Sequence, residues 1–179
     1  FKWRGLWRNE TTLYSRTCDA TDAPIISMYN PNGPYIVYSH KYFDSDEWDA
    51  RDYAMKYDYS KTFLEQFEEL LCKVPKKATY VSDAIGMNVN SEYANYAGAL
   101  KNCYLVFNTP KCEDCMYSRG IMNSLEIVDC YFANQLERSY EVVNGQKSSG
   151  ILYGQNITGC VDCVLIENCS GCTNCFGCV

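Results

Sequence analysis

Cysteine recurs at every third residue at the end of this chain, at Cys169, Cys172, Cys175 and Cys178. Cys160 and Cys163 sit just upstream at the same spacing, and Cys112 and Cys115 further back. Few folds accept such a ladder. A zinc ribbon separates two CxxC knuckles by a loop of roughly 15–20 residues. Here the four cysteines follow one another without a loop. A disulfide needs two Cα atoms within about 7 Å of each other. Stacked rungs of a β-solenoid lie about 4.8 Å apart and meet that limit, but stacked free thiols fit the same rungs. Three states are therefore open to the 12 cysteines: packed thiols, metal ligands or disulfides.

From Asn88 onward the composition turns to Asn, Ser, Gly and Cys with short β-prone runs. Asn102-Cys103-Tyr104-Leu105, Asp114-Cys115-Met116, Asp129-Cys130-Tyr131, Arg138-Ser139-Tyr140, Ser149-Gly150-Ile151, Asp162-Cys163-Val164 and Asn174-Cys175-Phe176 share one form. A polar residue precedes a small one, and mostly apolar residues follow, at intervals of 9 to 15 residues. Short strands turned by Asn and Gly at near-regular intervals predict a β-solenoid over 88–179. Each small residue would point into a narrow interior. Strand alternation would then put every second residue outside. The chain ends inside its densest cysteine run, which is read as truncation, since a solenoid needs a cap.

Residues 1–87 read differently. Two β-prone runs flank Asn30-Pro31-Asn32-Gly33-Pro34 and predict a hairpin over 24–38. Thr62 with Glu65 makes a capping box. Phe63, Phe67, Leu70 and Leu71 then form one apolar face, Lys73 suits the helix end and Pro75 stops it, so a helix is expected over 62–73. The acidic and aromatic stretch 42–59 is read as a structured loop, with a helical turn beginning at Ser45. The fold class is thus an α+β N-terminal region, 1–87, followed by an all-β, Cys-laddered solenoid.

Trp7-Arg8-Asn9-Glu10, Asn90-Ser91-Glu92-Tyr93-Ala94-Asn95-Tyr96-Ala97-Gly98 and Cys172-Thr173-Asn174-Cys175-Phe176-Gly177-Cys178-Val179 carry a resemblance over nearly the whole chain. With Ile25–Tyr29 and Asn102–Phe107 they resemble a family of uncharacterised Cys-rich proteins from uncultured, small-genome bacteria. The resemblance implies a zinc-ribbon-like CxxC pair before Trp7 and a short segment after Val179, so that this chain would be a fragment. It also implies a middle ladder denser in cysteine. Here Ser124, Ser139, Ser148 and Ser149 stand in that stretch. A ligand set would not accept Ser readily, whereas packed small residues would.

Catalytic chemistry is thinly supplied. The single histidine, His40, would have to serve any triad, and Cys18 with His40 is the one nucleophile–base pair that can be assembled. Asp44, Asp46, Glu47, Asp49 and Asp52 lack the glycine and terminal glutamate of an EF-hand. No glycine-rich phosphate loop is present. Acids outnumber bases by 22 to 16, which disfavours a protein that coats nucleic acid. No apolar run reaches transmembrane length, so no membrane partner is expected.

The reading that follows is a non-enzymatic binding or scaffold module. Its contact surface is expected to include Trp3, Arg4, Trp7, Arg8, Tyr29, Tyr35 and Trp48, because aromatic residues and Arg are enriched at interfaces. A protein is the expected partner, with nucleic acid the alternative through the basic N-terminal segment. Any metal is expected to be zinc at Cys160, Cys163, Cys169, Cys172, Cys175 and Cys178. The alternative function is a metal-dependent hydrolase or nucleic-acid-processing protein that uses the acids of 44–52. Reduced thiols and a cytoplasmic location are expected. Disulfides would instead indicate an extracellular one.

Overall fold

A computed structural model describes residues 11–82 and 88–179. The chain divides into two compact units, one up to Thr79 and the other Tyr80–Val179. The first is a small α+β unit. The second is a parallel β-solenoid of about seven turns.

In the first unit, β1 (Tyr14–Thr17) pairs antiparallel with β2 (Pro24–Ser27). The hairpin therefore lies earlier than the expected 24–38. A turn does form at Asn30–Gly33, where the Gly33 N–H donates to the Asn30 carbonyl at 2.9 Å. Its two arms do not pair with each other. The Met28 N–H donates to the Ala78 carbonyl, and β3 (Val37–Tyr38) pairs in parallel with β4 (Lys76–Lys77). A segment distant in sequence takes both arms as neighbours. α1 (His40–Phe43) is capped by Ser39, and a 3₁₀ turn at Ala50–Tyr53 is capped by Asp49, so neither turn begins at Ser45. α2 (Phe63–Lys73) forms as expected, with the Thr62–Glu65 capping box closed from both sides. The cap satisfies two N–H groups that a helix start otherwise leaves without partners.

The solenoid comprises β5 (Val81–Ser82), β6 (Ala94–Lys101), β7 (Val106–Glu113), β8 (Arg119–Met122), β9 (Ser124–Val128), β10 (Tyr131–Thr158) and β11 (Val161–Glu167). From β6 onward all pairing is parallel and each residue meets the one 12 positions on, as Ala94 meets Val106 and Ile151 meets Cys163. Val81 and Ser82 already pair with Ala97 and Gly98, so the first solenoid strand precedes Asn88.

The interior repeats at three residues, not two. Ile121, Ser124, Ile127, Cys130, Ala133, Leu136, and so on through Cys169, are buried, with two outward residues between successive members. The cause is in the backbone. From Asn90 to Gly177 nearly every third residue, the one before each inward position, sits at φ of 46–68°. Each such left-handed residue turns the extended chain sharply. Four three-residue sides therefore close one 12-residue turn. Asn, Asp and Gly fill more than half of these corners, and no Val, Ile or Thr occupies one. A β-branched side chain is the least tolerated in that conformation.

Corner asparagines also stack. Asn144 donates to Asn156 and Asn156 to Asn168, each at 2.9 Å. Asn90, Asn102 and Asp114 form a second ladder at 3.1 and 2.9 Å. Inward volume is balanced around each turn. A Cβ at Gly145 would meet Val142 Cγ1 at 2.6 Å, and one at Gly154 would meet Ile151 and Ile157 at 2.8 and 2.9 Å. Each buried Ile or Leu contributes about 1.5–3 kcal/mol. The glycines make room for them.

Replacing Asn156 by Val puts a β-branched residue in a left-handed corner and cuts one ladder in two. The expected loss is about 1–3 kcal/mol, read as a lowered urea midpoint. Asn156→Gly keeps the corner, loses only the ladder, and should cost less. Equal costs would show that the corner conformation is not the constraint.

Candidate functional site: a thiol-lined interior and an aromatic side

All 12 cysteines are free thiols. Ten belong to the solenoid, and all ten occupy inward positions. The sulfurs of nine, all but Cys178, lie 3.1–3.8 Å from the carbonyl two residues before them. Cys115 Sγ is 3.1 Å from Glu113 O, Cys163 Sγ 3.1 Å from Val161 O, and Cys169 Sγ 3.2 Å from Glu167 O. Serine does the same: the hydroxyls of Ser118, Ser124, Ser139 and Ser148 donate to the carbonyls two residues back at 2.8–2.9 Å. Cys and Ser thus exchange because both are small inward donors. Ser also accepts from the next rung, as from the Cys160 N–H to Ser148 Oγ at 3.0 Å.

The expected metal residues share this arrangement. Cys160 with Cys172, and Cys163 with Cys175, are rung neighbours in two columns, and Cys169 and Cys178 face inward from the other two. Among the described residues, no three His, Cys, Asp or Glu side chains converge in a way that could hold a metal ion. Donation to carbonyls favours neutral thiols. Burial pushes the Cys130 thiol up to about 11. Cys103 is raised further, by its hydrogen bond with Cys115 and then by burial.

Outside the solenoid, Cys18 is fully buried and differs in kind. Its sulfur accepts the Ser39 N–H at 3.2 Å. Burial alone would raise the thiol. The Thr21 hydroxyl and the N–H groups of Ser39, Ala20 and Thr21 outweigh it and hold the thiol below its ordinary value. His40 Nε2 lies 2.6 Å from Thr79 Oγ1.

Of the expected contact surface, Trp3, Arg4, Trp7 and Arg8 lie outside the described residues. Tyr29 and Tyr35 are half-buried and meet edge to face at 5.3 Å. Trp48 is half-buried among Tyr38, Phe43 and Tyr53 and donates to the Phe43 carbonyl at 2.8 Å. In the acidic cluster, Asp44 pairs with Lys77, and Asp49 binds Arg51 through both oxygens at 2.6–3.1 Å.

The solenoid presents a surface that sequence reading missed. Two adjacent outward columns form one side. The first runs Tyr104, Met116, Val128, Tyr140, Leu152, Val164 and ends at Phe176. The second carries Tyr93, Leu105, Tyr117, Tyr153 and Leu165, interrupted by Asp129 and Glu141. Tyr117 remains 53 % exposed, Leu165 51 %, Tyr153 45 % and Phe176 77 %. Tyr104 packs edge to face on Tyr117 at 5.8 Å, and Tyr140 on Tyr153 at 5.6 Å. Glu141 hydrogen-bonds the Tyr140 hydroxyl and pushes it up to about 12. A shallow pocket of about 330 Å³, lined by Asn90, Glu92, Tyr93, Asn102, Cys103 and Tyr104, opens at the first turns of this side. A period-12 alignment of 92–177 would have revealed both columns.

No Lys or Arg stands on the aromatic side. The other three sides carry most of the charges and amides, including the Lys101–Glu113 and Arg138–Glu137 pairs, and one of them also exposes Tyr131, Phe132 and Val143. The fold and its inward thiols define a four-sided, Cys- and Ser-lined β-solenoid. No protein-family model and no curated protein matches the chain. No helix among the described residues is long and apolar enough to cross a membrane.

The raised Cys130 thiol sets the sign of its share of alkaline stability. Below about pH 9 it is neutral in both the folded and unfolded chains and favours neither state. Above that it ionises in the unfolded chain while it stays protonated in the folded one until about 11. Stability is therefore expected to fall through that window. Denaturation midpoints at pH 8 and pH 10.5, compared between wild type and Cys130→Ser, measure it. A loss that is the same in both would assign the effect to other groups.

Proposed function

We propose that this protein is a non-enzymatic binding module in which the solenoid is a rigid platform and its aromatic side is the contact surface. The supporting observation is the concentration of exposed apolar side chains on one side of four, continued over successive turns. Soluble proteins seldom expose so contiguous an apolar area without a partner for it. Tyr-rich surfaces suit this use, because the ring packs while the hydroxyl keeps a polar contact.

The alternative, a hydrolase built on the acids of 44–52, has less support. Asp44 and Asp49 are already paired with cations. Zinc at the C-terminal cysteines is likewise the weaker reading, since those sulfurs face carbonyls two residues away.

Site-specific photo-crosslinking in the cells that make the protein tests the platform. A crosslinker at Leu152, on the aromatic side, should yield a discrete adduct. The same group at Gln146, on another side, should not. Equal adducts from both positions, or adducts from neither, would count against the platform.

A further inference from the structure

We propose that the aromatic side docks an amphipathic, basic α-helix of a partner protein, an inference that rests on the platform reading above.

Dimensions come first. The side spans about seven rungs at roughly 4.8 Å each, or some 30 Å. A helix of about 20 residues has that length. Two outward residues per rung make a strip roughly 7 Å wide, enough to seat one helix of about 10 Å diameter. Helix side chains three and four positions apart lie about 5–6 Å from each other, close to the rung spacing. Exposed apolar side chains of about 200 Å², most of them left some two-fifths to one-half free, offer on the order of 800 Å² together. That is what one partner contributes to an interface of standard size.

Charge selects the helix. Glu92, Asp129 and Glu141 are the only charged residues on this side, and all are acidic. Asp129 and Glu141 sit on consecutive turns in mid-strip. A partner with Lys or Arg beside its apolar stripe completes them, and the aromatic surroundings add cation–π attraction.

Two other occupants fit less well. A second copy placed face to face with full overlap, about a two-fold axis running across the strip at its middle, would set Asp129 against Glu141, acid on acid. A glycan chain would need ring faces lying in one plane. Here Tyr104 and Tyr117 are inclined at 87°, and Tyr140 and Tyr153 at 79°.

The probe is a synthetic Leu/Lys peptide of about three heptads, patterned as an amphipathic helix, and titrated by fluorescence anisotropy into the intact chain at physiological salt. A peptide of the same composition, shuffled so that Leu and Lys share every face, is the control. The patterned peptide is expected to bind at least about tenfold more tightly than the shuffled one. Asp129→Lys with Glu141→Lys should weaken it by about tenfold or more. Lys is accepted at such corners, as at Lys111 and Lys147. Glu137→Lys with Glu167→Lys, on other sides, changes net charge equally and should leave binding within about twofold. Equal losses in the two double variants, equal binding of the two peptides, or no binding would each overturn the helix inference.

Cello-oligosaccharide binding and sedimentation velocity, on wild type and on Tyr117→Ser with Leu152→Ser, separate that failure from the failure of the platform. If glycan binding or self-association depends on Tyr117 and Leu152 while the peptide does not bind, the helix falls and the platform stands. If nothing depends on them, both fall.

Discussion

A left-handed corner at every third residue is the constraint on which the rest of the solenoid depends. It fixes the side at three residues and the turn at 12. It leaves one inward residue per side, so four side chains must fill each layer of a narrow interior. Layers crowded by Ile151 and Ile157 take Gly154 between them. Side chains of intermediate size, Cys, Ser, Ala and Val, fill most of the rest. The carbonyl two residues before an inward position already accepts a ladder N–H from the next turn, as Lys101 O does from Asp114 and Val161 O from Asn174. The inward thiol or hydroxyl adds a second donor to it and so finds a partner for its own S–H or O–H.

This accounts for the cysteines without a metal or a disulfide. A thiol is small, mostly apolar and a weak donor. It therefore packs against Ile or Leu in the layer above and still reaches the carbonyl two residues back. Serine meets the same carbonyl and also accepts an N–H from the next rung, as Ser118 does from Cys130 at 3.1 Å. The two differ in what they ask of their neighbours, not in where they sit.

Legibility in the sequence followed the range of the interaction. α2 was readable because its cap, its apolar face and its stop lie within 14 residues, Thr62 to Pro75. The solenoid was readable because Cys169, Cys172, Cys175 and Cys178 expose the triplet directly. Its true period was hidden, since every triplet looks alike and an alignment slips easily by one side. Cys115 and Cys130 were matched at 15 residues, though Cys130 belongs to the neighbouring column. Strand alternation misled in the same way, because a corner follows every third residue. The hairpin failed for the opposite reason. Its turn is local and real, but the segment its arms pair with is β4 (Lys76–Lys77) and the Ala78 that follows it, far along the chain. The aromatic side went unseen because its columns become visible only once the register of 12 is known.

That register also shapes the chemistry open to the surface. An outward side chain in a solenoid has, as its nearest neighbours along the axis, the residues 12 positions before and after it. Columns thus favour like beside like: Asn144, Asn156 and Asn168 in one, Asp129 and Glu141 in another. Catalysis needs unlike groups converging on one point, a nucleophile with its base and an oxyanion donor. A solenoid side supplies instead a straight, periodic strip whose groups all point the same way. On the platform reading proposed above, such a strip suits a partner that is itself long and periodic. The apolar columns broken by two consecutive acids would then be read as a pattern along that length rather than as a single pocket.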